Sequence, residues 1–138
     1  MAAVSVDSPY LLDTHAVIFW HTREEMPAPL QALLDHAAAR GNVLISGISF
    51  WEAALLVKNG RIEIPDVTAW KNEILKYSGA RLDLPDADDM IASVALPDYH
   101  GDPFDRLLIA QARRRKAVLV SRNRTLEAYG IPMLWSMD

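Results

Sequence analysis

Short runs of consecutive apolar residues alternate along the chain with longer stretches whose apolar positions recur at helical spacing. "PYLLD", "NVLIS", "ARLDL", "AVLVS" and "PMLW" are short and apolar, and predict strands. Between them, a helix is predicted from about Thr14 to His21, and "PAPLQALLDHAAAR" predicts a second that stops at Gly41. "SFWEAALLVKNG" opens on S-x-x-E, the pattern of a capping box with Ser49 as cap, and ends at Asn59-Gly60. "DVTAWKNEILKYS" and "DADDMIASVAL" predict two further helices, "DPFDRLLIAQARRRK" a long one and "NRTLEAYG" a short one. Near-regular alternation of strand and helix implies an α/β layer structure around a mostly parallel twisted sheet of four to five strands. No repeat, low-complexity tract or linker breaks the pattern, so a single domain over 1–138 is expected.

A chain of 138 residues is long enough for one continuous core. No apolar run approaches the ~20 residues that cross a bilayer. The N-terminal segment lacks a basic leader region and carries Asp7 and Asp13, so a soluble cytoplasmic protein without membrane contact is expected. The absence of Cys excludes disulfides, thiolate zinc sites and a Cys nucleophile, and fits a reducing compartment.

Charge is segregated. The formal net charge is −4, yet the segment from Arg106 to Leu126 holds seven basic residues (Arg106, Arg113, Arg114, Arg115, Lys116, Arg122 and Arg124) and no acid. An acidic protein can therefore still attract a polyanion at one surface, although cations at a helix end also complement its dipole.

In open parallel sheets the ligand site lies beyond the carboxyl ends of the strands. Read there, the junctions supply Asp13 after "YLL", Ser49 and Glu52 after "LIS", Asn123 after "LVS", and Asp102 and Asp105 at the mouth of the long helix. Each has an ordinary capping explanation: Asp102 before Pro103 reads as an N-cap, and Asp105 then favours the helix dipole. Together they imply an acid cluster, which needs a proton or a cation to offset mutual repulsion. Carboxylate oxygens without Cys or paired His suit Mg²⁺ or Mn²⁺ better than zinc. His15, His21, His36 and His100 show no metal-ligand spacing, and His21 and His36 read as surface or packing residues. Trp20, Trp51, Trp70 and Trp135 read as core or interface, as do Phe19 and Leu33.

"LLDTHAVIFW", "ISGISFWEAALLVKNGRIEIP", "HGDPFDRLLIAQA", "LVSRN" and "YGIPMLW", in this order and spacing, resemble the PIN-domain ribonucleases, specifically the VapC-type toxins of prokaryotic toxin–antitoxin pairs. The resemblance implies a PIN-like domain that binds Mg²⁺ or Mn²⁺ and cuts RNA, a homodimer, and a cognate antitoxin that blocks the site. It places Asp13, Glu52 and Asp105 as catalytic metal ligands, with Asp102, Asn123, Thr14 and Ser49 in support. Arg122, Arg124 and the run Arg113, Arg114, Arg115 and Lys116 are candidate RNA contacts. One departure stands out: the family often has a fourth acid where this chain has Asn123. Two readings stay open, an active endoribonuclease and a weak or inactive module that binds RNA or antitoxin without turnover. A receiver-type phosphoacceptor lacks the Lys expected at a late strand end, and a haloacid-dehalogenase motif lacks its second Asp.

Overall fold

A computed structural model describes residues 7–136, so the first six and last two residues of the expected domain lie outside the described residues. The five predicted strands form: β1 (Tyr10–Leu12), β2 (Val43–Ser46), β3 (Arg81–Asp83), β4 (Val118–Val120) and β5 (Met133–Leu134). They make one sheet in the order β3-β2-β1-β4-β5, with every pairing parallel. The helices are α1 (Thr14–Thr22), α2 (Ala28–Ala39), α3 (Gly47–Lys58), α4 (Val67–Tyr77), α5 (Ala87–Ala95) and α6 (Pro103–Arg115), followed by a 3-10 helix over Arg124–Tyr129. Among the described residues, no helix is long and apolar enough to cross a membrane.

The sheet divides two apolar layers because successive strand residues point to opposite faces. On β1, Leu12 joins Ala16, Val17, Trp20, Leu30, Leu34 and Ile74 beneath α1, α2 and α4. Its neighbour Leu11 joins Leu107, Leu108, Ile109, Leu119 and Leu126 beneath α6 and the 3-10 helix. Leu108 and Ile109 are at most 1% exposed, so each contributes roughly 1.5–3 kcal/mol by burial. Trp20 therefore belongs to the core, with Phe19 and Leu33 packed partly buried against it, whereas Trp51 is 61% exposed.

Two local features differ from the sequence pattern. Ser49 is not the cap of α3: Ser46, at the end of β2, takes that role by accepting a hydrogen bond from the Ile48 amide at 3.2 Å. Three residues later Ser49 is inside the helix, fully buried, and its hydroxyl has no hydrogen-bond partner among the described residues. Helix α3 starts earlier because Ser46 already has extended geometry and Gly47 can pass beneath Leu84; a Cβ at Gly47 would lie 2.7 Å from the Leu84 Cδ2.

The basic run, secondly, is bonded within the protein. Arg113 donates to the Tyr129 carbonyl, Arg114 pairs with Asp89 at 2.7 Å, and Arg115 pairs with Asp83 and Asp89 at 3.0 and 2.9 Å. These pairs tie the end of α6 to β3 and α5. Gln111 strengthens the same seam, donating to the Asp83 carboxylate at 2.6 Å from a fully buried position. Lys116 closes α6 in left-handed geometry.

Candidate active site

The chain order reverses at β1, which has β2 on one side and β4 on the other. A crevice beyond the carboxyl ends of strands opens at such a switch point. Asp13 leaves β1 there and caps α1, accepting from the Ala16 amide at 2.8 Å. It is only 8% exposed, although an ordinary N-cap has no need of burial. Burial pushes its carboxyl above the usual range; the Ser121 hydroxyl, the Ala16 amide, His15 and Arg122 offset this only in part.

Glu52 comes from the second turn of α3. Instead of reaching back to the helix start, it accepts a hydrogen bond from the Thr14 hydroxyl at 2.5 Å, which ties α3 to α1. Its carboxyl is raised by burial and by the charges of Asp102 and Asp13, against the Thr14 bond and His15.

Asp105 lies in the first turn of α6, which runs antiparallel to the strands and so begins at the same sheet edge. Asp102 caps that helix, accepting from the Phe104 amide at 2.9 Å. Asp105 meets the His100 Nε2 at 2.9 Å, and ligand atoms of His100, Asp102 and Asp105 all fall within 4.8 Å of one another. Burial, followed by the charge of Asp102, pushes the Asp105 carboxyl up to about 6; Asp13 and Glu52 add to the rise and His100 opposes it. Acids from β1–α1, α3 and α6 thus act on one another electrostatically.

Asn123 follows β4. Its side-chain oxygen caps the 3-10 helix, accepting from the Thr125 amide at 3.2 Å and the Thr125 hydroxyl at 2.6 Å. With Asp13, His15 and Arg122 it lines one recess of about 210 Å³. Arg122 is half exposed, its guanidinium stacked over the Phe19 ring at 4.7 Å; the Arg124 side chain is 86% exposed. Of the predicted site residues, Asp13, Thr14, Glu52, Asp102, Asp105, Arg122 and Asn123 gather around this edge. Arg113, Arg114 and Arg115 point to the α5–α6 seam and the 3-10 helix, and Ser49 is buried in α3.

His100, Arg106 and Tyr129 escaped the sequence reading. The loop from Leu96 to Asp102 carries His100 into the cluster, and Arg106 fixes that loop. Its side chain, 12% exposed, donates to the carbonyls of Ser93, Leu96 and Pro97 at 2.9–3.0 Å and of His100 at 3.1 Å. The Tyr129 hydroxyl donates to the Pro97 carbonyl and accepts from the His100 amide, each at 3.0 Å. The sequence signal was present in "HGDPFDR", but a contact across a Gly-Asp-Pro turn has no helical spacing to reveal it.

The donor set tests well for a hard divalent cation: it is carboxylate-rich, Glu52 and Asp105 are raised first by burial and then by neighbouring carboxylates, and among the described residues no Lys or Arg offsets either shift.

Comparison with known proteins gives the family. The PIN domain family matches residues 10–132. Ribonuclease VapC22 of Mycobacterium tuberculosis is 27% identical over 125 residues, spanning 88% of this chain and 92% of that protein. Among solved structures, a VapBC2 complex of Rickettsia felis bound to promoter DNA aligns with a TM-score of 0.70 at 16% identity, over 92% of this chain and 98% of the matched chain. A toxin–antitoxin complex from Klebsiella pneumoniae aligns at 0.60 and 25% identity, over 91% and 95% of the two chains. An all-parallel five-stranded sheet, an acid edge at its switch point and a family match across nearly the whole chain place this protein in the PIN domain family.

Proposed function

We propose that this chain is a divalent-metal-dependent endoribonuclease toxin that hydrolyses RNA phosphodiester bonds and is held in check by a cognate antitoxin. The observation that carries the reading is the placement of Asp13, Glu52 and Asp105 at one sheet edge, where burial raises all three carboxyls and neighbouring carboxylates raise Glu52 and Asp105 further, a cost that a bound cation would relieve. Asp13, Glu52 and Asp105 would hold Mg²⁺ or Mn²⁺, with Asp102 beside them. Bound there, the ion supplies Lewis acidity at the phosphate and activates water for attack.

The chain's own residues do the positioning. Thr14 fixes the Glu52 carboxylate, His100 fixes that of Asp105, and the Ala16 amide and Ser121 hydroxyl fix that of Asp13. Arg122, at the rim of the Asp13 recess, would meet a phosphate oxygen as a bidentate donor. Water is the nucleophile, so no covalent link to the protein forms.

The toxin–antitoxin setting follows by likeness to the VapBC2 and Klebsiella complexes, and a cytoplasmic location follows from an RNA substrate. The exposed apolar side chains Met90, Ile91 and Val94 of α5, with Leu82 and Leu84 exposed on and after β3, support self-association as a homodimer. One observation favours the second reading, a binding module with feeble turnover: at the usual fourth acid position Asn123 brings no charge, and its oxygen is engaged by Thr125.

The test incubates a structured RNA with the purified chain in Mg²⁺, Mn²⁺ or chelator, beside Asp13→Asn and Asn123→Asp. Expected is metal-dependent cleavage that falls at least ~100-fold in Asp13→Asn. Cleavage indifferent to chelator and to Asp13 would refute the proposal. Activity appearing only with Asn123→Asp would establish the binding module instead.

A further inference from the structure

The recess at Asp13 does not end at Arg122. On the far side of that residue lies a second, larger cleft of about 710 Å³, whose walls include Arg122, Arg124, Met133, Leu134 and Trp135. Arg122 is therefore a shared wall between the acid site and a cleft that leads away from it along the β4–β5 edge.

The two clefts differ in chemistry. The first is lined by one acid, Asp13, with His15, Asn123 and Arg122. The second sets two cations, Arg122 and Arg124, and one acid, Glu127, on walls shared with the apolar Met133, Leu134 and Trp135. Trp135 stands edge-on to Phe19, ring centres 6.2 Å apart, and Phe19 in turn carries the Arg122 guanidinium at 4.7 Å. Arg122, Phe19 and Trp135 thus form one continuous line of contacts, the first stacked and the second edge-on, from the acid site into the cleft.

The charge is available for a ligand. Arg122 has Glu25 at 3.7 Å and Arg124 has Glu127 at 3.3 Å, both pairs between largely exposed side chains. Such pairs are worth at most about 1 kcal/mol and yield readily to a better anion. The larger basic run on α6 is different, since Arg114 and Arg115 are committed to Asp83 and Asp89.

We infer that this cleft is a subsite for an unpaired nucleotide of the RNA strand next to the scissile phosphate: its base lies against Trp135 and the Met133–Leu134 floor, and its phosphate between Arg122 and Arg124. Cations beside an aromatic platform are the combination by which proteins take single strands, because every base has a π-face and every linkage an anion. A duplex cannot present a base to the cleft without unstacking it. The inference rests on the nuclease reading for its orientation toward the scissile bond, and binding itself is measured without cleavage.

The experiment uses the full chain carrying Asp105→Asn, so that RNA is bound and not cut, with a roughly eight-nucleotide labelled single strand of mixed sequence and its duplex as probes. Arg124→Ala, on a side chain that is 86% exposed, is expected to weaken single-strand binding about tenfold and to lower the slope of log affinity against log salt by about one. Trp135→Leu is expected to weaken it roughly tenfold, with Trp135→Phe restoring most of the loss. Single strands are expected to bind at least tenfold better than the duplex. Binding unchanged by Arg124→Ala or by Trp135→Leu, absent altogether, or equal for duplex and single strand would overturn the inference and leave the nuclease reading to its own cleavage test. The expected binding pattern, combined with a wild-type chain that cuts nothing in Mn²⁺, would uphold the subsite and remove the nuclease reading.

Discussion

Replacing Asp105 by Asn is expected to make the metal-free protein more stable while abolishing its response to metal. The Asp105 side chain is 18% exposed, and burial with Asp102, Asp13 and Glu52 nearby raises its carboxyl from an ordinary 3.8 to about 6. At 1.36 kcal/mol per pKa unit, holding that charge at neutral pH costs up to about 3 kcal/mol. Asn has the same shape, can keep a hydrogen bond to His100 and carries no charge. Urea unfolding in chelator at pH 7.5 should therefore show Asp105→Asn more stable by about 1–3 kcal/mol, a rise in Tm of several degrees. The sign with pH follows from proton binding. Between 3.8 and about 6 the native state holds a proton at Asp105 that the unfolded chain has released. This contribution is thus fully present below 3.8 and is lost as pH rises through about 6. Asp13 and Glu52 shift in the same direction, so Asp105→Asn flattens the profile without levelling it. Addition of Mn²⁺ at a hundred times its dissociation constant should stabilise wild type by about 2.7 kcal/mol and the variant far less. A variant less stable than wild type in chelator, or one stabilised equally by Mn²⁺, would refute the electrostatic account.

Two other substitutions probe the frame around the site. Arg106→Ala strips partners from the Ser93, Leu96, Pro97 and His100 carbonyls, so a loss of about 3 kcal/mol or more is expected by urea unfolding; Arg106→Lys should recover less than half, since an ammonium cannot fork. A loss below about 1 kcal/mol in Arg106→Ala would show that the loop is held elsewhere. Asp89 titrates the opposite way to Asp105: burial raises it, but hydrogen bonds from Arg115, the Asp86 region and Arg114 outweigh that and hold its carboxyl below the usual range. Its contribution is present above an ordinary carboxylate pKa and lost as pH falls through the lowered one, so Asp89→Asn should cost about 2–3 kcal/mol at pH 7 and progressively less toward pH 3; a penalty that does not shrink on acidification would contradict this.

What the sequence made legible depended on whether the physics was local. Strand and helix periods follow from neighbours within a few residues, and the parallel sheet follows from their alternation. The rule that sites lie at strand ends then places Asp13, Glu52, Asp102, Asp105 and Asn123 at one edge. The failures share a cause. Ser49 matched S-x-x-E, but a cap is decided by backbone geometry, and Ser46 had it. Four consecutive basic residues gave no hint of which way they face; that was set by Asp83, Asp88 and Asp89 on elements folded against α6. His100 sits five residues from Asp105 with a turn between, so only the path of the loop unites them, and Arg106 and Tyr129 determine that path. The same distinction bears on Asn123. Its capping bond is local and would be kept by Asp, so the fold gives no reason to prefer one over the other. A charge at this position would act on the shared field at the acid edge, where one carboxyl already stands at about 6. Asn123 therefore lowers the electrostatic cost of assembling the acid edge without an ion and, on the proposed reading, would in exchange weaken the grip on the ion.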